Sequence, residues 1–545
     1  MCSPPGYRDF PERTRHRIDP DETARRSPET PRGCDSRAVT TLPSMQEAAS
    51  GNPPCMLASG PGRWGNRFLD LGDAFSTRCA AEPLSDPHWV VTSAPCAAEL
   101  SFPADWADRQ EWRSLQVMSG RALWPGMTPA ATAYSGHRFG TWAGALGDRR
   151  ALGLGELETP SGPRELHLKG SGRTPYSRPS DDGRMALRSA IREFLAAEAL
   201  HALGVPTTRA LCVTGSALPV RPGEIETTAM LTRVAPSFIR FGHFEHFGRQ
   251  GNADALRTLT DFVIDRHVPE CRDATDPAAA LLELVAWRTA ELVAAWQSVG
   301  FCHGLLGTDN MSVLGLTADH GAFTFLDAFD PGRICNRADE AGRYTWGRQP
   351  QVALWNLQAL ASAMAPLIGD ERAVWAALET YRSRLPMALG DRFAAKLGLS
   401  STEPDDAALV DDLLALMASA GADFTITFRR LSGFKPKPRA RNAALRELFN
   451  DRRGFDAWAL RYAERLAREE TSDADRAARM NRVNPRFVLR DHLAHVAIEA
   501  ASAGDFSEVE RLHAVLRHPF DEQPEAGSYA DPPPARAEHE EVTCS

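Results

Sequence analysis

The 545 residues carry 43% hydrophobic and 24% charged side chains with a formal charge of −9, which leaves room for one large two-lobed unit or two to three ordinary domains around a sizeable core. The acidic balance removes the electrostatic basis for nucleic-acid binding, and no apolar run reaches the ~18 residues of a membrane span. Ten scattered cysteines without a CxxC pair suggest neither a disulfide scaffold nor a zinc site, and the absence of a charged-then-apolar leader points to a cytoplasmic protein, or a mitochondrial one in a eukaryote.

Residues 1–63 are dominated by Pro, Gly, Ser, Arg and acids and read as a disordered N-terminal tail. From 64 to about 250 short alternating or apolar runs predict a strand-rich lobe, and from 251 to 521 longer helical periodicity predicts a helical lobe. Residues 522–545, with three consecutive prolines and a run of Glu, read as an extended tail ending in Thr543, Cys544 and Ser545. The fold class expected is α+β.

Within the first lobe, Leu146-Gly147-Asp148-Arg149-Arg150 lies between two apolar runs, as a hairpin turn over a phosphate would. Alternation in Arg164 to Gly170 (RELHLKG) predicts a strand with Leu166 and Leu168 on one face and Lys169 on the other, pointing away from the core. A loop rich in Gly, Pro, Ser and Asp follows, then a helix over 185–203 with Glu193 at the margin of its apolar stripe. A strand lysine paired with a helix glutamate is how protein kinases hold nucleotide phosphates, although each residue alone is more commonly an ordinary surface group. Arg233 and Arg240 follow, separated by a proline, and arginine forks suit phosphate.

The second lobe offers helices over 279–298 and 351–365. Between them lies GFCHGLLGTDNMS, then a short apolar run and Asp319. Asn310 and Asp319, on either side of a short strand, are the oxygen donors a hard cation such as Mg²⁺ takes. Asp309 is then free to accept a proton from an attacking hydroxyl, the competing reading of the dipeptide being a simple turn. His303, a lone histidine after a helix, is assigned no chemistry. Neither a His-Arg-Asp loop with its Asn five residues on nor an Asp-Phe-Gly is present, so the residue grammar is not that of an ordinary kinase.

With these segments in view, residues 64 to 545 resemble the selenoprotein O family, also called YdiU. The resemblance rests on YSGHRFGTWAGALGD, HLKGSGRTPYSR, the DGR-to-REF helix, GVPTTRAL, MLTRVAPSFIRFGHFEHF, HGLLGTDNMSVLGLT and FLDAFDPGRICN, in that order. It implies a divergent protein-kinase-like two-lobed fold in which ATP lies reversed, so that AMP passes to Ser, Thr or Tyr hydroxyls of protein substrates and pyrophosphate leaves. Carried over by motif, Lys169 and Glu193 are the ion pair, and Lys169, Arg233 and Arg240 hold phosphates. Gly147, Arg149 and Arg150 fall in the glycine-rich loop, and Asp182 and Gly183 line the nucleotide site. Asn310 and Asp319 bind Mg²⁺, with Mn²⁺ as the alternative, Asp319 also meeting the nucleotide, and Asp309 is the base. The family also implies a regulatory disulfide between Cys335 and Cys544. The chain departs from the family pattern at Arg149, where a glycine is usual, at Gly307, where Asn is usual, and in an extra acid around Asp181 and Asp182. A γ-phosphate-transferring kinase and a non-catalytic nucleotide-binding scaffold are the alternatives.

Overall fold

The computed structural model describes residues 54–220, 226–436 and 442–534. It is a mixed α+β structure in which most strands precede Ala235 and long helices follow Arg240. Among the described residues the largest sheet has nine strands. Its main path runs Ser76–Arg78, Ala130–Thr132, Ala151–Leu157, Arg164–Lys169, Thr227–Ala235, Arg209–Pro219, His88–Thr92, with Trp64–Gly65 and Met185–Ala186 attached at its sides. Every pairing in it is antiparallel.

Strand alternation decides what each face meets. Leu166, Leu168, Met230 and Val234 turn into a core that includes Trp106 and Trp124, while Leu231 and Val213 turn to the opposite face, which is covered by helix Leu187–Ala202. A sheet covered on both sides has no solvated face. Lys169 therefore does not point away from the core, as alternation alone predicts, but into a second one, and is buried. The larger core is continuous from Phe68 to Leu516 and so joins the strand-rich and helical parts.

The helices begin where local chemistry satisfies their free N–H groups. Asp276 caps Pro277–Ser298 by accepting from the N–H groups of Ala278 and Ala279, both at 3.0 Å, and Pro277 occupies a first-turn position that needs no donor. The expected helix over 351–365 is longer, Gln349–Ile368. The one expected over 185–203 is Leu187–Ala202, because Met185–Ala186 is drawn into pairing with Ala229 and Thr228.

Both expected tails are shorter than composition suggests. Cys55–Met56 pairs in parallel with Ala122–Leu123, Leu57 is buried, and the Trp64 indole donates to Pro61 O at 2.8 Å. At the other end Pro524–Ala530 forms a 3-10 helix with Ala526 buried against Phe487 and Val515. A few apolar anchors in a polar stretch were enough to dock each end. The remainder of both expected tails, including Cys544, lies outside the described residues. No helix among the described residues is long and apolar enough to cross a membrane.

Candidate active site

A buried charge cluster is assembled from both parts of the chain. Strand pairing sets His167 opposite Arg233 and Lys169 opposite Leu231, so period-two alternation puts Lys169 and Arg233 on one face. Helix Leu187–Ala202 lies over that face, and Lys169 Nζ donates to Glu193 Oε2 at 2.6 Å. The same amine donates to Asp319 Oδ1 at 2.8 Å. Arg233 lies 3.6 Å from Glu193 and 3.8 Å from Asp319, and Arg240 lies 3.7 Å from Asp319. Gly170 (φ +91°) ends the lysine strand, where a Cβ would fall 2.5 Å from Ala229 O.

Three cations face two carboxylates within ion-pair distance here, and the buried Asp148 and Asp309 add negative charge near Arg240. Burial by itself would raise the Asp319 pKa, but Lys169, Arg233 and Arg240 outweigh it and hold this carboxyl well below the usual carboxylate range. Three guanidinium and ammonium groups converging on one buried point are donors that suit an anionic ligand such as phosphate.

Asp309 and Asn310 sit in a 3-10 turn, Thr308–Asn310, pinned to the same cluster. Arg240 bridges to Ser312, Phe241 N–H donates to Met311 O at 2.9 Å, and the Arg240 guanidinium donates to Asp309 O at 2.7 Å. No strand separates Asn310 from Asp319, contrary to expectation. Residues 311–317 close on themselves through a Met311–Thr317 bridge, and Thr317 N–H donates to Pro206 O at 2.9 Å instead of joining a sheet. Asp309 is buried. Its Oδ2 accepts from Arg138 Nε at 2.9 Å and Nη2 at 2.5 Å, while its Oδ1 has no hydrogen-bond partner. At Gly307 a Cβ added to this backbone would lie 2.5 Å from Asp309 Oδ1 and 2.6 Å from His137 O.

The Asn310 amide nitrogen donates to Leu305 O at 2.8 Å, which leaves its oxygen as the end able to bind a cation. Asn310 and ionised Asp319 are the hard donors Mg²⁺ prefers, and the donor set fits that ion. Among the described residues no group of three or more His, Cys, Asp or Glu side chains could hold a metal alone. An ion here would complete its shell with phosphate and water, as Mg²⁺ commonly does. His303 is fully buried against Trp296, its backbone N–H donates to Gln349 Oε1 at 2.7 Å, and burial lowers its pKa to about 4.

The glycine-punctuated segment is not a hairpin turn. The hairpin is Ser135–Arg138 with Thr141–Ala145, turning at Phe139 and Gly140, both at positive φ. Residues 146–150 instead link it to the sheet, because Leu146 and Gly147 N–H groups donate to Tyr134 O at 2.8 and 2.9 Å. Gly147 (φ +58°) packs under Tyr176, where a Cβ would come within 2.4 Å of the ring. Arg150 O accepts from Gly170 N–H at 2.7 Å, tying this link to the end of the lysine strand. Arg149 pairs with Asp181 at 3.2 Å; burial and the neighbouring Arg138 and Arg178 lower its pKa, a mark of local positive crowding. Asp182 Oδ1 accepts from Arg184 N–H at 2.9 Å, and Gly183 (φ +72°) would place a Cβ 2.0 Å from the Gly172 carbonyl carbon. Asp181 and Asp182 line a cleft of about 450 Å³ with Glu82, Arg173 and Leu218. None of Lys169, Arg233, Arg240 and Asp319 lines that cleft.

Sequence reasoning missed Arg138, His137 and Glu245. Their only signal was membership of the YSGHRFG and GHFEHF motifs, and their proximity to Asp309 comes from hairpin docking. Cys335 has a thiol neighbour the sequence did not suggest, with its Sγ 3.2 Å from Cys302 Sγ.

Comparison with known proteins gives the family. The family model "Protein adenylyltransferase SelO" matches residues 62–517. A protein nucleotidyltransferase YdiU from Burkholderia multivorans is 54% identical over 494 residues, covering 88% of this chain and 94% of the relative. One from Burkholderia ambifaria is 52% identical over 524 residues, covering 93% and 98%, and one from Paraburkholderia xenovorans is 52% identical over 490 residues, covering 88% and 94%. The chain belongs to the SelO family of protein adenylyltransferases and is a nucleotidyltransferase by class.

Proposed function

We propose that this chain, working in the cytoplasm on a divergent kinase-like two-lobed scaffold, transfers AMP from ATP to Ser, Thr or Tyr hydroxyls of other proteins. The observation that carries the reading is the convergence of three buried cations, Lys169, Arg233 and Arg240, on Asp319, held by Arg240 against the turn that bears Asp309. In this reading Lys169, Arg233 and Arg240 take the β- and γ-phosphates at depth, which leaves the α-phosphate facing the acceptor. Gly147, Arg149, Arg150, Asp182 and Gly183 bound the nucleotide on the outer side. Asn310 and Asp319 hold Mg²⁺, which when bound supplies charge stabilisation to the phosphate oxygens.

The acceptor oxygen bonds to the α-phosphorus, the bond from that phosphorus to the bridging oxygen breaks, and pyrophosphate leaves with the electron pair. Asp309 takes the hydroxyl proton on Oδ1, the oxygen that Arg138 does not engage. Charge that develops on pyrophosphate meets cations already in place, so little reorganisation is needed.

ATP labelled separately at the α- and γ-phosphate tests this. Protein-bound label from the α-position is the expected result; label from the γ-position alone assigns a kinase, and none from either assigns a scaffold. The reading includes a Cys335–Cys544 disulfide, for which Cys302 is a competing partner at 3.2 Å. Non-reducing peptide mapping identifies which pair forms.

A further inference from the structure

Beside the Asp309 turn five side chains form a continuous stack that the nucleotide cluster does not use. The Arg249 guanidinium lies 5.1 Å over the Trp142 ring, Trp142 meets His137 at 5.1 Å, His137 meets Trp355 at 5.1 Å, and the Arg343 guanidinium lies 4.8 Å over Trp355. His137 ties this stack to the site, because its backbone N–H donates to Thr308 Oγ1 at 2.7 Å and the next residue holds Asp309. The hairpin turn leans on the far end, where a Cβ at Gly140 would come within 3.1 Å of the Arg343 guanidinium.

The charges of the stack do not cancel. Its neighbouring carboxylate, Glu245, is bound by His137 Nδ1 at 2.6 Å, and no carboxylate lies within ion-pair distance of Arg249 or Arg343 among the described residues. Arg249 is exposed, and Trp142, Trp355 and Arg343 are half-buried. A guanidinium laid on an indole keeps its in-plane N–H groups for a carboxylate. Two such groups, on a chain whose formal charge is −9, make a local positive rim beside the residue proposed to take the acceptor's proton.

We propose that this rim docks the acceptor protein and selects hydroxyl side chains flanked by acidic residues; the proposal rests on the reading of the chain as a protein adenylyltransferase. Arg249 and Arg343 take the flanking carboxylates, Trp142 and Trp355 position them, and His137 keeps the rim in register with Asp309. None of the rim residues acts on the reacting atoms.

The test uses the full chain and fluorescent peptides holding one serine flanked by Asp, by Asn, by Lys or by phosphoserine, the last distinguishing a phosphate, which carries about −1.5 to −2 at pH 7, from a singly charged carboxylate. At low salt the Asp peptide should bind roughly tenfold tighter than the Asn peptide, with the difference shrinking as ionic strength rises. R249E/R343E should lose that difference while keeping nucleotide affinity and the thermal transition of the parent. Equal binding of the Asp, Asn and Lys peptides, or an R249E/R343E protein that still prefers Asp, overturns the proposal, and binding of the phosphoserine peptide alone overturns its carboxylate assignment. Binding of the Asp peptide without α-label transfer to any peptide sinks the AMP-transfer reading and leaves the rim standing; transfer without acidic preference does the reverse.

Discussion

Lys169 and Asp319 are 150 positions apart in the chain and 2.8 Å apart in space. The amine that a strand presents and the carboxylate that a loop presents meet under a helix, where Glu193 takes a second bond from the same amine at 2.6 Å. That shared amine makes each member of the cluster dependent on the others.

Asp319→Asn should abolish α-label transfer and also destabilise the fold. The substitution removes the carboxylate charge on which three buried cations converge, and breaking a buried pair in this way costs about 3–5 kcal/mol. Incubation with α-labelled ATP reads the first effect and urea denaturation the second, and added ATP should restore part of the lost stability. A variant as stable as the parent would show that Asp319 is not the counter-charge described.

Gly307→Ala should separate chemistry from binding. Its Cβ would press on Asp309 Oδ1 at 2.5 Å and on His137 O at 2.6 Å without touching the cation cluster. Nucleotide affinity should stay within about twofold while transfer falls by tenfold or more, as misplacement of a reacting group by an ångström does. Steady-state kinetics with ATP varied, together with a binding titration, decides it.

Gly183→Ala should act on the outer loop. Its backbone has φ +72°, and the added methyl would fall 2.0 Å from the Gly172 carbonyl carbon. The loop that joins the lysine strand to the glutamate helix must then move, and weaker nucleotide binding with Lys169–Glu193 intact is the expected result. Unchanged affinity would remove Gly183 from the nucleotide site.

Lys396 predicts a pH dependence far from the site. Its amine is buried 4.2 Å over the Phe428 ring, and burial lowers its pKa to about 7. Between about pH 7 and the ordinary lysine value near 10.4 the unfolded chain binds this proton and the folded chain does not, so stability rises with pH across that window and its contribution is flat below it. Lys396→Met should flatten that rise, measured as unfolding free energy at pH 7.5 and 9.5. Parallel slopes in the two proteins would refute the assignment.

Parts of this molecule were legible in its residues because they obey local periodicity. Alternation in RELHLKG identified the lysine strand, and 3.6-residue spacing predicted helices over 185–203 and 279–298, which the structure shows as Leu187–Ala202 and Pro277–Ser298. Local rules failed where a second layer intervened. Lys169 points off one core but into another, and residues 146–150 look like a turn yet serve as a link to the sheet. Arg138 had no local signature, because its bond to Asp309 spans 171 positions.

The sequence by itself determined the family, the class of reaction, and which residue types could meet phosphate and metal, since each of these depends on side-chain identity and short-range order. Tertiary structure decided which of those groups share one buried cluster, which oxygen of Asp309 is left without a partner, and where three cations converge. Ion pairing and burial depend on distances across the fold, and such distances are set by the packing of two layers, not by spacing along the chain.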